Sequence, residues 1–177
     1  MAQERAGLTL DAFPNPEILE NDLILYFRTN AVGPINTINA FLPLLRAGTT
    51  KKCLAISTSM GSPRFTNAND FSTFSGYAMS KAALNLAMAK YACQFRDEGL
   101  VFLTISPGLV KTMVGTKEEV DAAYAIFDRM NREKNPDFEG AITTEQSVSD
   151  ILALLDKVTI ANSGTFVHRD GRDANYF

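Results

Sequence analysis

Apolar positions recur with a helical period from Leu23 through Leu25, Phe27, Val32, Ile35, Ile38, Phe41 and Leu42 to Leu45. The stretch opens on Pro14-Asn15-Pro16-Glu17, where Asn15 is suited to cap a helix and Pro16 to take its first position, since the missing N–H has no partner there anyway. Gly48 is expected to end it in a left-handed conformation, and Pro34 to break or kink it near Gly33, giving two helical pieces. Cys53-Leu54-Ala55-Ile56, between Lys51-Lys52 and Ser57-Thr58-Ser59, reads as a strand buried on both faces. The polar segment with Gly61, Pro63 and Asn67 reads as a loop. Alanine-rich sequence from about Gly76 to Glu98, with Leu84, Leu86, Met88, Tyr91 and Phe95, predicts a long helix stopped by Gly99. A second buried strand follows at Leu100-Val101-Phe102-Leu103-Thr104-Ile105 and ends at Ser106-Pro107-Gly108. Strand, helix, strand implies a parallel pair with a right-handed crossover. Residues 116 to 135 suggest an amphipathic helix around Val120, Tyr124, Ile126, Phe127 and Met130. Thr143 and Gln146 have capping-box spacing for a helix through Leu155, and Thr165-Phe166-Val167 predicts a last short strand.

The chain has 177 residues, 46% hydrophobic and 21% charged, without a repeat or linker, which suits one globular domain. A net charge of -3, a pI near 5.2 and no basic run longer than Lys51-Lys52 argue against nucleic acid and anionic membranes as partners. No apolar stretch approaches the roughly 20 residues of a membrane helix, and Gln3, Glu4 and Arg5 stand where a signal core would be. A soluble, cytoplasmic protein is expected. Cys53 and Cys93 lie in apolar patterns without ligand spacing, so they are expected to be buried thiols, with no metal site.

In Tyr77-Ala78-Met79-Ser80-Lys81 the phenol and the ammonium are four residues apart, so both project from one helix face. A nearby cation stabilises phenolate and brings a tyrosine toward the range where it exchanges protons with an alcohol. The same spacing also occurs on ordinary helix surfaces. The single histidine, His168, follows the last strand in a polar tail and is expected to be solvated. Met113, Phe127 and Met130 suit a hydrophobic pocket or plain core packing, and Lys117, Glu118, Glu119 and Asp121 a solvated face.

Three segments around this pair resemble successive motifs of the short-chain dehydrogenase/reductase family: Ile56-Ser57-Thr58-Ser59-Met60-Gly61, Tyr77-Ala78-Met79-Ser80-Lys81-Ala82, and Ile105-Ser106-Pro107-Gly108-Leu109-Val110-Lys111-Thr112. Asn30, in Arg28-Thr29-Asn30-Ala31, resembles the family's helix asparagine, and the likeness is closest to fungal-type members. The resemblance implies an α/β fold, the carboxyl-terminal part of a Rossmann-like doubly wound parallel sheet with about three strands and flanking helices, as one domain over 1–177. It implies an oxidoreductase that interconverts a secondary alcohol and a ketone on a small carbonyl or alcohol substrate. NAD(P) is the implied cofactor, with NAD or NADP left open. Tyr77 would be the general acid/base, Lys81 would lower its pKa and hold the nicotinamide ribose, and Asn30 would anchor a proton-relay water. Pro107, Gly108, Val110 and Thr112 would line the nicotinamide, together with Tyr77 and Lys81. The carbonyl-polarising serine of the family falls on Thr58, which keeps a hydroxyl but adds a methyl group and a stiffer torsion. The longer spacing from Thr58 to Tyr77 implies an enlarged loop at the substrate mouth.

The family's glycine-rich phosphate turn has no counterpart, because no two glycines lie closer than seven positions. The chain is expected to begin where the family's fourth strand ends, with Arg5-Ala6-Gly7 a remnant of its Asn-Ala-Gly motif. The strand at 53–56 would then be an edge open to self-association or a partner. By the resemblance, a homodimer would form through the helices carrying Asn30 and Tyr77. Two classes of function therefore stand: a truncated oxidoreductase with weak or no turnover as an isolated chain, and a non-catalytic remnant that binds another subunit.

Overall fold

The computed structural model describes residues 5–134 and 138–175; the side chains of Ile126, Phe127 and Met130, two of them considered for a substrate pocket, lie outside the described residues. Helix α1, Pro16–Phe27, starts as its sequence predicts, with the Asn15 side chain accepting from the Ile18 N–H at 2.9 Å. The stretch divides into two α-helical pieces at Gly33, as the sequence predicts, and a π turn joins them. Arg28–Val32 form one π turn, and α2, Gly33–Ala47, continues from it. The wider turn places Pro34 in the first turn of α2, where a missing N–H costs no bond. Gly48 caps α2 in an extended conformation, φ -76°, and not the left-handed one expected; the positive φ falls on Lys51.

Strands β1 (Lys52–Ile56), β2 (Val101–Ser106) and β3 (Phe166–His168) form one parallel sheet in the order β1-β2-β3. Leu54 pairs with Leu103, and Thr104 with Phe166. The central strand β2 is wholly buried, and its alternation feeds two cores. On one face Leu100 and Phe102 pack with Ile38 of α2 and with Leu84, Met88, Ala92 and Phe95. On the other, Val101 and Leu103 meet Val158, Leu54, Leu154 and Val167. Strand β1 is only partly covered, with Ile56 47% exposed, so the expectation of burial on both faces fails for want of a neighbour on its outer side among the described residues.

The segment read as a loop after β1 is structured. A short 3₁₀ turn, Ser59–Gly61, leads into α3, Pro63–Asn69, whose N-cap is Ser62 and whose first position is Pro63. Polar composition hid a seven-residue helix that has its own cap and proline signal. Phe71 stacks on Phe74 and meets Phe65 edge-on before α4, Ser75–Gln94, begins. Helix α4 ends in a 3₁₀ turn and then Gly99, at φ 71°, as predicted. Cys53 is half-buried, but Cys93 lies exposed on α4, contrary to its apolar context. Helix α5 spans Lys117–Lys134 and α6 Thr144–Lys157. Thr143 caps α6 through the Gln146 N–H, while the Gln146 amide turns along the helix to Asp150. Arg5 forms two 2.8 Å bonds to the buried Asp22 of α1, and this pairing holds the Asp22 carboxyl below the usual range. Among the described residues no helix is long and apolar enough to cross a membrane.

Candidate active site

The carboxyl ends of parallel strands are where α/β sheets bind ligands. The predicted residues of the Thr58 and Pro107 segments follow the carboxyl ends of β1 and β2, and Tyr77 lies in the first turn of α4. Thr58 caps the 3₁₀ turn after β1, its Oγ1 accepting from the Met60 N–H at 3.3 Å. A Cβ on Gly61 would come within 3.0 Å of the Ala82 nitrogen and 3.1 Å of the Lys81 carbonyl carbon. Only glycine lets this turn press against α4, and that contact sets Thr58 beside the Tyr77-Lys81 helix. Ser59 donates to Ser106 at 3.1 Å, tying the ends of β1 and β2 together. The neighbouring Ser57 hydroxyl is buried without a hydrogen-bond partner.

Tyr77 is half-buried, and burial raises its pKa above the ordinary phenol value. Lys81 is also half-buried and shifts the other way, downward, from the same cause. Its ammonium donates to the Ile56 carbonyl at 2.8 Å and stands 5.9 Å from the centre of the Tyr77 ring. In this arrangement the lysine is anchored at the end of β1, and desolvation dominates the phenol. Asn30, in the π turn, donates from Nδ2 to Ser80 Oγ at 3.0 Å, and Ser80 donates to the Tyr77 carbonyl at 2.7 Å. An open groove of about 480 Å³ between α2 and β1 has both Asn30 and Lys81 on its wall.

The segment after β2 is built separately. Gly108 has φ 83°, which calls for glycine, and its backbone lies against the tail: a Cβ there would stand 3.3 Å from Arg169 Nε and 3.5 Å from His168 Nε2. The Pro107 carbonyl accepts from Ser147, and Val110 bridges Ile142. The Tyr124 hydroxyl donates to the Val110 carbonyl and accepts from the Thr112 N–H. The Ser59–Ser106 bond joins this segment to the Thr58 side.

His168 corrects the sequence reading: it is 8% exposed and packs beside the Gly108 turn, with Nδ1 3.2 Å from Asp170. Burial lowers its pKa, more than Asp170 raises it. Burial alone would raise Asp170, but bonds from Arg172, with the His168 imidazole close by, override that and hold its carboxyl far below the usual range. Arg169, buried as well, pairs with Glu139 and Asp150. Tail residues thus carry the floor of the Gly108 turn. Periodicity could not reveal this, because His168 and Gly108 meet only through the parallel pairing of β2 and β3. Sequence reasoning also missed Ser80, Gly61 and Tyr124. A buried serine between Tyr77 and Lys81 on an otherwise apolar helix face was the available signal for Ser80.

Three parallel strands with helices on both faces and these polar groups at their carboxyl ends define a doubly wound α/β protein. The sequence profile described as short chain dehydrogenase matches residues 4–123. The chain is 35% identical over 162 residues to the short chain dehydrogenase virK of Hypocrea virens, covering 89% of this chain and 59% of that one. It is 34% identical over 158 residues to the short-chain dehydrogenase/reductase atnB of Arthrinium, covering 86% and 58%. The fold matches NADPH-bound carbonyl reductase from chicken fatty liver with a TM-score of 0.70 at 21% identity, over 94% of this chain and 58% of that one. The chain belongs to the short-chain dehydrogenase family. It spans about three fifths of the length of the curated relatives it matches.

Proposed function

We propose that this chain carries the nicotinamide-facing part of an oxidoreductase that interconverts a secondary alcohol and a ketone. The observation supporting it is the grouping, at one end of a parallel sheet, of Thr58 and Lys81 with Tyr77 and Asn30 on the adjoining helices. The residues suit a nicotinamide cofactor: the Pro107-Gly108 turn follows the carboxyl end of β2, where α/β sheets bind ligands, and Lys81 has protons beyond the one given to Ile56. Pro107, Gly108, Val110 and Thr112, with Tyr77, would hold the nicotinamide in this reading, and Lys81 its ribose. NAD(P) supplies hydride chemistry when bound. Tyr77 passes its phenolic proton to the substrate oxygen in reduction and takes it back in oxidation. Like any phenol it is protonated at neutral pH, and burial shifts it further that way, which suits the donor role. Thr58 donates its hydroxyl to the substrate carbonyl, and Asn30 steadies the relay side of Lys81. The reading includes a cytoplasmic homodimer through the helices carrying Asn30 and Tyr77, where Leu25, Phe27 and Leu86 are exposed.

The test is titration of the purified chain with NADPH and NADH, following nicotinamide fluorescence together with solution mass. Saturation near ~10 μM, or about -7 kcal/mol, supports the reading. No binding up to about 1 mM overturns it for this chain and leaves the partner-binding alternative.

A further inference from the structure

Residues 111–116 are exposed and have no helix or strand of their own, yet both ends of the segment are held by α5. The Tyr124 hydroxyl makes three bonds at its start, one to the residue before it and two within it. It donates to the Val110 carbonyl at 2.8 Å and accepts from the N–H groups of Thr112 at 2.8 Å and Met113 at 3.3 Å. At the far end the Thr116 N–H donates to Glu119 Oε2 at 2.9 Å, and the Glu119 N–H donates back to Thr116 Oγ1 at 3.3 Å. Lys111 is fixed between these points by its N–H to the Ile142 carbonyl, at 2.8 Å, and its ammonium lies 3.7 Å from Asp121 Oδ1. A phenol thus does what a backbone turn would otherwise do: it closes the segment on itself and joins it to a helix. The ring is buried, and its place in the apolar period of α5 accounts for that burial. It does not account for a hydroxyl that takes two consecutive N–H groups of the segment and the carbonyl just before it.

We propose that Tyr124 is a positioning residue, holding residues 110–113 in the one arrangement that presents Val110 and Thr112 to a nicotinamide. The proposal rests on the oxidoreductase reading above for what the segment faces, but the ordering itself can be measured without it. Tyr124→Phe keeps the ring and removes only the hydroxyl. Thr112 and Met113 are exposed, so water takes over their N–H groups and the fold is expected to survive.

Amide hydrogen exchange is measured on the full chain and on Tyr124→Phe, beside NADPH titration of both. The expected result is roughly tenfold faster exchange at Thr112 and Met113, with β2 unchanged, and a several-fold weaker NADPH affinity. Unchanged exchange at those two amides overturns the proposal. Faster exchange with unaltered NADPH affinity overturns it too, since order in the segment would then be irrelevant to the nicotinamide. A variant that does not fold makes the hydroxyl a requirement of the fold as a whole and also overturns it. Failure of the unaltered chain to bind NADPH defeats the oxidoreductase reading instead, and exchange alone then decides whether Tyr124 orders the segment.

Discussion

Burial acts on Tyr77 and Lys81 in opposite senses, raising the phenol and lowering the ammonium. Each therefore favours its neutral form more than it would in water. In a chimera that joins this chain to the amino-terminal portion of a full-length relative, Tyr77→Phe is expected to cut kcat by about 10²–10⁴ and to change cofactor affinity far less, since the ring beside the nicotinamide is kept. Single-turnover kinetics check it, and unchanged turnover removes Tyr77 as the proton donor. His168 gives a second residue-scale test, on stability. Its folded pKa lies below the ordinary 6.5, so the unfolded chain binds more protons in the interval between the two values. Stability is then present above about pH 6.5 and is lost as the pH falls through that interval. Asp170 adds a separate loss at lower pH, near the ordinary carboxylate range, because its folded pKa is depressed. Urea melts at pH 7.5 and 5.5, chosen to span the ordinary histidine range of about 6.5, are expected to show a larger drop for the native chain than for His168→Gln. Equal drops would mean the imidazole is solvated after all.

Among the elements, the packing of α1 on α4 depends on one missing side chain. A Cβ on Gly76 would stand 2.7 Å from Tyr26 Cδ2 and 3.4 Å from Leu23 Cδ2. Gly76→Ala is expected to cost about 1–3 kcal/mol through this overpacking, although alanine is the better helix former. A denaturant midpoint equal to or above that of the native chain refutes it. Such contacts mark where the sequence is legible and where it is not. Local signals were readable: the Asn15 cap with Pro16, the stop at Gly99, the Thr143 cap, and the nearly unbroken apolar run that marks β2 as buried. The order of the Thr58, Tyr77 and Pro107 motifs was readable for the same reason, since each motif is local. Helix α3 was hidden because its seven residues are mostly polar, and the π turn because no residue pattern marks an inserted position. The Lys81 bond to Ile56 and the His168 contact with Gly108 join residues far apart in the chain, and only the assembled sheet creates them.

For the molecule as a whole, two apolar surfaces stand exposed, and the proposed self-association has a different consequence at each. One is the β1 edge, where Ile56 is exposed and an open groove of about 660 Å³ runs between β1 and the α2 residues Ile38, Phe41, Leu44 and Leu45. Lys52, a charge that could guard such an edge, is drawn to the Leu155 carbonyl of α6 at 2.6 Å. The other is the helical face, where Leu86 is 61% exposed on α4. A dimer built as the family resemblance implies uses the second surface. Leu86→Glu places a charge in that contact, whereas Ile56→Lys places one on the sheet edge and leaves the helices intact. Sedimentation equilibrium of the three chains is expected to give a dimer for the native chain and for Ile56→Lys, and a monomer for Leu86→Glu. The converse pattern, with only Ile56→Lys dissociating, assigns the contact to the β1 edge. Such a dimer would extend the sheet from one copy to the next and cover the groove that reaches Asn30 and Lys81, so self-association and access to the candidate site would then oppose each other.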